Sequence, residues 1–85
     1  MKVTFDPRKD EANLAKHGIS LGRAEDMVVE VVVPDPFPGE PRWRAFGTIE
    51  GKPFCLIFVD RDHRRRAINL RRAHAKEYVR YVRPH

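Results

Sequence analysis

The chain has 85 residues, 41% of them apolar and 34% charged, with a formal net charge of +5. That length supports one domain, residues 1–85, with one small core and no second layer around a large cofactor. The charge is uneven: residues 61–85 carry +7 and residues 1–60 carry −2. Such asymmetry points to a polyanionic partner, nucleic acid or an acidic protein surface, against the plainer alternative of a solvated basic face. The single Cys55 excludes an internal disulfide and fits a reducing cytoplasm. The opening MKVTFDPRKDE lacks an apolar core of signal-peptide length, and no window approaches a membrane span. A cytoplasmic protein with no membrane partner is expected.

In chain order, Lys2–Phe5 alternates and reads as a short strand. Asp6-Pro7 then supplies an N-cap and a first-turn proline, and the helix runs to Gly18, a glycine that stops it. Its apolar stripe of Ala12, Leu14 and Ala15 is thin, so the helix is expected to be mostly exposed. Ser20 caps a second helix through Leu21, Ala24, Met27 and Val28. Val31–Val33 reads as extended, and Pro34–Pro41 as a rigid loop.

Arg42–Glu50 and Lys52–Asp60 read as a hairpin around Glu50-Gly51. The unbroken apolar run Phe54–Val59 is expected to be a central strand buried on both faces. After a polar turn over Asp60–Arg64, Arg66–Arg71 alternates, with Ile68 and Leu70 on one face and Ala67, Asn69 and Arg71 on the other. A last helix, about Arg72–Val82, has Ala75, Tyr78, Val79 and Val82 as its core stripe. Arg71 and Arg72 then sit where a helix dipole disfavours cations. The expected order is β-α-α-β-β-β-α, an α+β domain with helices packed on one antiparallel sheet.

His17, His63, His74 and His85 have no Cys or carboxylate at zinc spacings, and P-loop, dinucleotide and nucleophile-elbow motifs are missing. Neither a metal nor another cofactor is expected. What remains is cation chemistry on phosphate. RNA is cut without metal when its 2′-hydroxyl attacks the adjacent phosphate and guanidinium groups stabilise the crowded charge. His74, Glu77 and Tyr81 follow one another along the last helix, with Arg71 just before them. Plainer roles stay open for each. Arg64–Arg66 reads as a solvated turn as well, Glu77 as a helix partner of Arg80 or Arg83, and Tyr81 as a half-buried ring. Trp43 reads as a core anchor before an RNA-stacking platform.

Several motifs together resemble the BrnT family, the toxin half of BrnT/BrnA toxin–antitoxin systems. The likeness lies in FDPRKDEANLAKHGIS with its N-x-x-K-H-G, in Leu21, Ala24 and Met27-Val28, and in Pro34-Asp35. It continues in Arg42-Trp43 with Gly47, and in RAINLRRAHAKEYVRY with its R-x-A-x-x-x-E-x-x-x-Y ending. The chain departs from the pattern at Leu21, Pro41 and Asn69. The resemblance implies a RelE-like fold, a metal-independent endoribonuclease that arrests growth, and neutralisation by a BrnA-like antitoxin. The antitoxin would form a hetero-oligomer and carry the complex to operator DNA. Arg66 and Arg71 are then the expected phosphate clamps, with Glu77 as a general base and Tyr81 and His74 orienting substrate or moving a proton. Lys16, His17, Arg42, Arg61, Arg64 and Arg72 are expected RNA contacts. The rival expectation is a non-catalytic module that binds nucleic acid or a partner through the same basic surface.

Overall fold

The structure, a computed structural model, describes residues 1–82. The chain runs through helix α1 (Pro7–His17), a 3-10 turn (Leu21–Asp26), strands β1 (Val28–Asp35), β2 (Arg42–Ile49), β3 (Lys52–Arg61) and β4 (Arg64–Arg72), and helix α2 (Ala75–Val82). The strands form one antiparallel meander in the order β1-β2-β3-β4. The α+β class is therefore as the sequence implies, but the order of elements is not.

Four differences have local physical causes. The expected strand over Lys2–Phe5 reduces to one parallel bridge, in which Thr4 N donates to Arg65 O (2.9 Å) and Ala67 N donates to Thr4 O (2.8 Å). The second helix is only the 3-10 turn. Met27 is already extended, and the valine run behind it begins β1 at Val28. Pro34 and Asp35 belong to that strand rather than to a loop, which an edge position allows because the missing proline N–H has no partner to lose. The last helix starts at Ala75, because β4 runs on to Arg72 and Ala73 N donates to Pro53 O at 3.0 Å. Arg71 and Arg72 are therefore strand residues, with no helix dipole against them.

The punctuation read from the sequence is otherwise present. Asp6 accepts from Arg8 N at 2.8 Å, and Gly18 closes α1 with φ 72°. Glu50 and Gly51 take positive φ (51° and 76°) in the β2–β3 turn, the conformation a two-residue hairpin needs. The β3–β4 turn does the same at Asp62 and His63 (51° and 63°) with no glycine.

The sheet has two covered faces. Leu21, Ala24, Met27, Ala45, Ile49, Phe54, Leu56, Phe58, Ala67 and Leu70 form the main core beneath the N-terminal elements. Phe46, Cys55 and Val59, also buried, alternate with these on β2 and β3 and so lie on the opposite face, where α2 packs. A bulge in β4 breaks the expected alternation. Ile57 pairs with Asn69 but Phe58 pairs with Ala67, so Ile68 is the extra residue. Ala67 and Leu70 thus both enter the main core. Arg66, Asn69 and Arg71, opposite Val59, Ile57 and Cys55, share the second face.

Asn13 anchors α1 to the sheet edge. Its amide donates to Ile19 O (2.9 Å) and Leu70 O (2.8 Å), and its carbonyl accepts from Leu70 N (3.0 Å). One side chain thereby completes the β4 edge as a neighbouring strand would. Asp10 ties the same helix to the 3-10 turn by accepting from Ser20 Oγ (2.8 Å) and Leu21 N (2.7 Å).

Candidate active site

The last residues of β4 and the first turns of α2 meet over the second sheet face. Arg71 projects from β4 and is held by Glu77, Nη1 to Oε1 at 2.9 Å and Nη2 to Oε2 at 3.0 Å. A two-point bond of this kind fixes the guanidinium plane. Glu77 also accepts from the His74 backbone N–H at 3.4 Å, which caps α2. Arg71 holds the Glu77 carboxyl below the usual carboxylate range, and Glu77 in turn raises the guanidinium of Arg71. A carboxylate so engaged is a poor proton acceptor.

A second arginine lies under the same helix. Arg44, on β2, donates from Nη2 to the Tyr81 hydroxyl oxygen at 3.2 Å, and its Nη1 stands 3.8 Å from Glu77 Oε2. Its Nε is 3.4 Å from Asp35 Oδ1, an ion pair without the alignment of a hydrogen bond, and so remains buried and unbonded. Tyr81 stacks on Phe46, rings 5.1 Å apart and 13° from parallel. Asp35, Arg44, Glu77 and Arg71 therefore alternate in charge across β1, β2, α2 and β4. Their side chains are 15–23% exposed, a setting in which charge–charge attraction is screened less than on an open surface.

His17 reaches this face from the end of α1. Its Nε2 accepts from Asn69 Nδ2 at 3.3 Å, as a neutral imidazole does. Burial, then Lys16, then Arg71 lower its pKa from the ordinary 6.5, so the ring is an unprotonated acceptor at neutral pH. Asn69 Oδ1 is buried beside it without a donor.

Of the candidates read from the sequence, Arg71, Glu77 and Tyr81 are joined through these bonds. His17 lies within electrostatic reach of Arg71, and Arg66 shares the face through the bulge. The others are dispersed. The His74 side chain is exposed, as is Lys16. Arg61 is engaged by Glu40 at 2.8 and 2.6 Å, and Arg42 lies over Phe37, 3.7 Å from the ring centroid. Arg72 turns to the other face, where Nε donates to Pro53 O at 3.2 Å. Arg64 stands at the β3–β4 turn, and Trp43 packs against the main core. The α2 face is also rotated from its expected stripe. Val79 is 54% exposed, while Glu77, Tyr78, Tyr81 and Val82 are half-buried. Arg83 and His85 lie outside the described residues. Arg44, Asp35 and Asn69 were not among the residues read from the sequence as candidates. Only the i, i+2 spacing of Arg42 and Arg44 on one strand hinted at the first.

A basic sheet face on which a strand arginine meets a helix carboxylate defines a small α+β protein suited to handling anions. The chain belongs to the BrnT family: residues 5–77 match the family model described as ribonuclease toxin, BrnT, of type II toxin–antitoxin system. Membership implies ribonuclease activity on RNA and an antitoxin partner. The crystal structure of the Brucella abortus ribonuclease toxin BrnT, at 1.1 Å, is similar with a TM-score of 0.67 and 26% identity, over 87% of this chain and 97% of that one. No curated protein is significantly similar in sequence. Among the described residues no helix is long and apolar enough to cross a membrane.

Proposed function

We propose that this chain is a metal-independent endoribonuclease with one RelE-like domain. It would be neutralised when a BrnA-like antitoxin covers its second sheet face and α2, and the antitoxin would bring the complex to operator DNA. The observation that carries the reading is the Arg71–Glu77 pair on a face shared with a neutral His17, in a chain of the BrnT family.

Arg71, with Arg66 on the same face, binds the scissile phosphate and stabilises the charge of its pentacoordinate form. Glu77 is the orienting partner of Arg71, and its carboxylate yields to the incoming phosphate. His17 takes the proton from the 2′-hydroxyl. The new 2′-oxygen–phosphorus bond displaces the 5′-oxygen, which takes the Tyr81 hydroxyl proton. The Tyr81 oxygen already accepts from Arg44, so its own proton is free to point away. The products are a 2′,3′-cyclic phosphate and a 5′-hydroxyl.

Incubating purified protein with a long RNA in EDTA and mapping the ends tests the reading. Cyclic phosphate and 5′-hydroxyl ends are expected. Cleavage only with added divalent metal would overturn it.

A further inference from the structure

A cleft of about 890 Å³ lies away from the Arg71 site. It lies between the N-terminal segment and the β3–β4 turn, lined by Lys2, Thr4, Asp60, His63, Arg64 and Arg65. Thr4, which lines it, is fixed to β4 by backbone bonds with Arg65 and Ala67, so the N-terminal segment is held against the strand by more than side chains.

Its cations differ from the ion-paired arginines of the chain. Arg23, Arg44, Arg61 and Arg71 are each engaged by a carboxylate. Lys2, Arg64 and Arg65 are exposed, and none joins an ion pair among the described residues. Asp60 is the one acid lining the cleft. The turn above it holds Asp62 and His63 at positive φ without glycine, a conformation that costs each side chain some strain.

We propose that this cleft is a second RNA site, which takes backbone phosphates of a single strand whose scissile phosphate lies at Arg71. The proposal rests on the ribonuclease reading above. The two places are joined along β4: Arg65 borders the cleft, Arg66 follows on the second face, and Arg71 lies six residues from Arg65, roughly 20 Å along a strand. A bound strand that rounds the β4 edge therefore meets Arg64 and Arg65 first, then Arg66 and Arg71 on the second face, with the uncharged Ala67–Leu70 between those two. Such contacts carry no base information. They add affinity and direction, so long RNA binds better than a dinucleotide.

The test measures binding of a long single-stranded RNA, and KM for its cleavage, across a salt series. Lys2→Gln/Arg64→Gln/Arg65→Gln is compared with an equally neutralised control, Arg8→Gln/Lys9→Gln/Lys52→Gln. The cleft variant is expected to bind about tenfold more weakly, with a log–log salt slope shallower by about 2. The control should keep the parental slope, and Arg64→Lys/Arg65→Lys should restore it. Thermal melts of each variant confirm the fold. Equal losses in both triple variants mean a diffuse field and overturn the proposal, as does no loss in either. If the parent binds RNA with this pattern but never cuts it, the cleavage reading fails and the cleft stands. If it cuts RNA and the cleft variant binds as the parent does, the cleft fails alone. A parent that does not bind RNA sinks both.

Discussion

Glu77 occupies both terminal nitrogens of Arg71, at 2.9 and 3.0 Å, so the strongest anion site on the α2 face already contains a carboxylate. The pair fixes α2 over the sheet, and substrate phosphate must compete with it. Glu77→Gln should lower stability by about 1–2 kcal/mol at neutral pH and tighten RNA binding severalfold. Its effect on single-turnover cleavage should stay under about tenfold. A loss on the scale of general-base removal, about 10²-fold or more, would instead make Glu77 the proton acceptor. The pH sign follows from the depressed carboxyl. Its stabilisation is full above the unfolded carboxylate's titration and lost as pH falls through the folded value. Acid melts of the variant should lack that part of the parental loss.

His17 is held neutral by burial and two neighbouring cations. As a base it should give a cleavage rate that rises with pH through a limb below the ordinary value of 6.5. His17→Gln should remove that limb and about 10²-fold of rate. An unchanged pH profile in the variant would remove His17 from proton transfer.

Asn13 is 4% exposed and makes two hydrogen bonds to Leu70 at the β4 edge and a third to Ile19 O. Asn13→Ala should cost about 2–4 kcal/mol, since it leaves the backbone groups of Leu70 buried without partners. Denaturant melts measure this directly. A change below about 0.5 kcal/mol would place the α1 anchor elsewhere.

Gly47 stands opposite the β1 bulge, where an added Cβ would overlap the Val28 carbonyl oxygen and come within 2.9 Å of Val29 Cα. The neighbour is backbone and cannot swing aside. Gly47→Ala should therefore cost more than about 3 kcal/mol or abolish folding, whereas Gly22→Ala, whose Cβ would meet nothing closer than 3.5 Å, should be far milder. Equal stability of the two variants would contradict the bulge geometry.

Local chemistry was the legible part of this fold. Asp6-Pro7, Gly18 and Glu50-Gly51 each act through their own backbone, so their sequence alone predicts the helix ends and the hairpin. Arg71, Glu77 and Tyr81 were legible as a group because one turn and one helix bring them together. Arg44 was not, because its partners Asp35, Glu77 and Tyr81 come from other elements and meet it only after the sheet forms. The bulge at Ile68 was equally silent. It exchanges the faces of Arg66 and Ala67 through a pairing register that alternation along one strand cannot reveal. Asn13 is legible as the first residue of the N-x-x-K-H-G motif, but its role is not, because its partner Leu70 lies 57 residues away.

Neighbouring arginines give the most direct test of the central claim, that Arg71 is the phosphate-binding group of a ribonuclease site. Arg71 and Arg72 are adjacent on β4 but face opposite sides of the sheet. Cleavage of a long RNA in EDTA should fall by about 10²-fold or more in Arg71→Ala and by only a few-fold in Arg72→Ala, with both proteins folded. Equal activity in the two variants, whether kept or lost, would contradict the account.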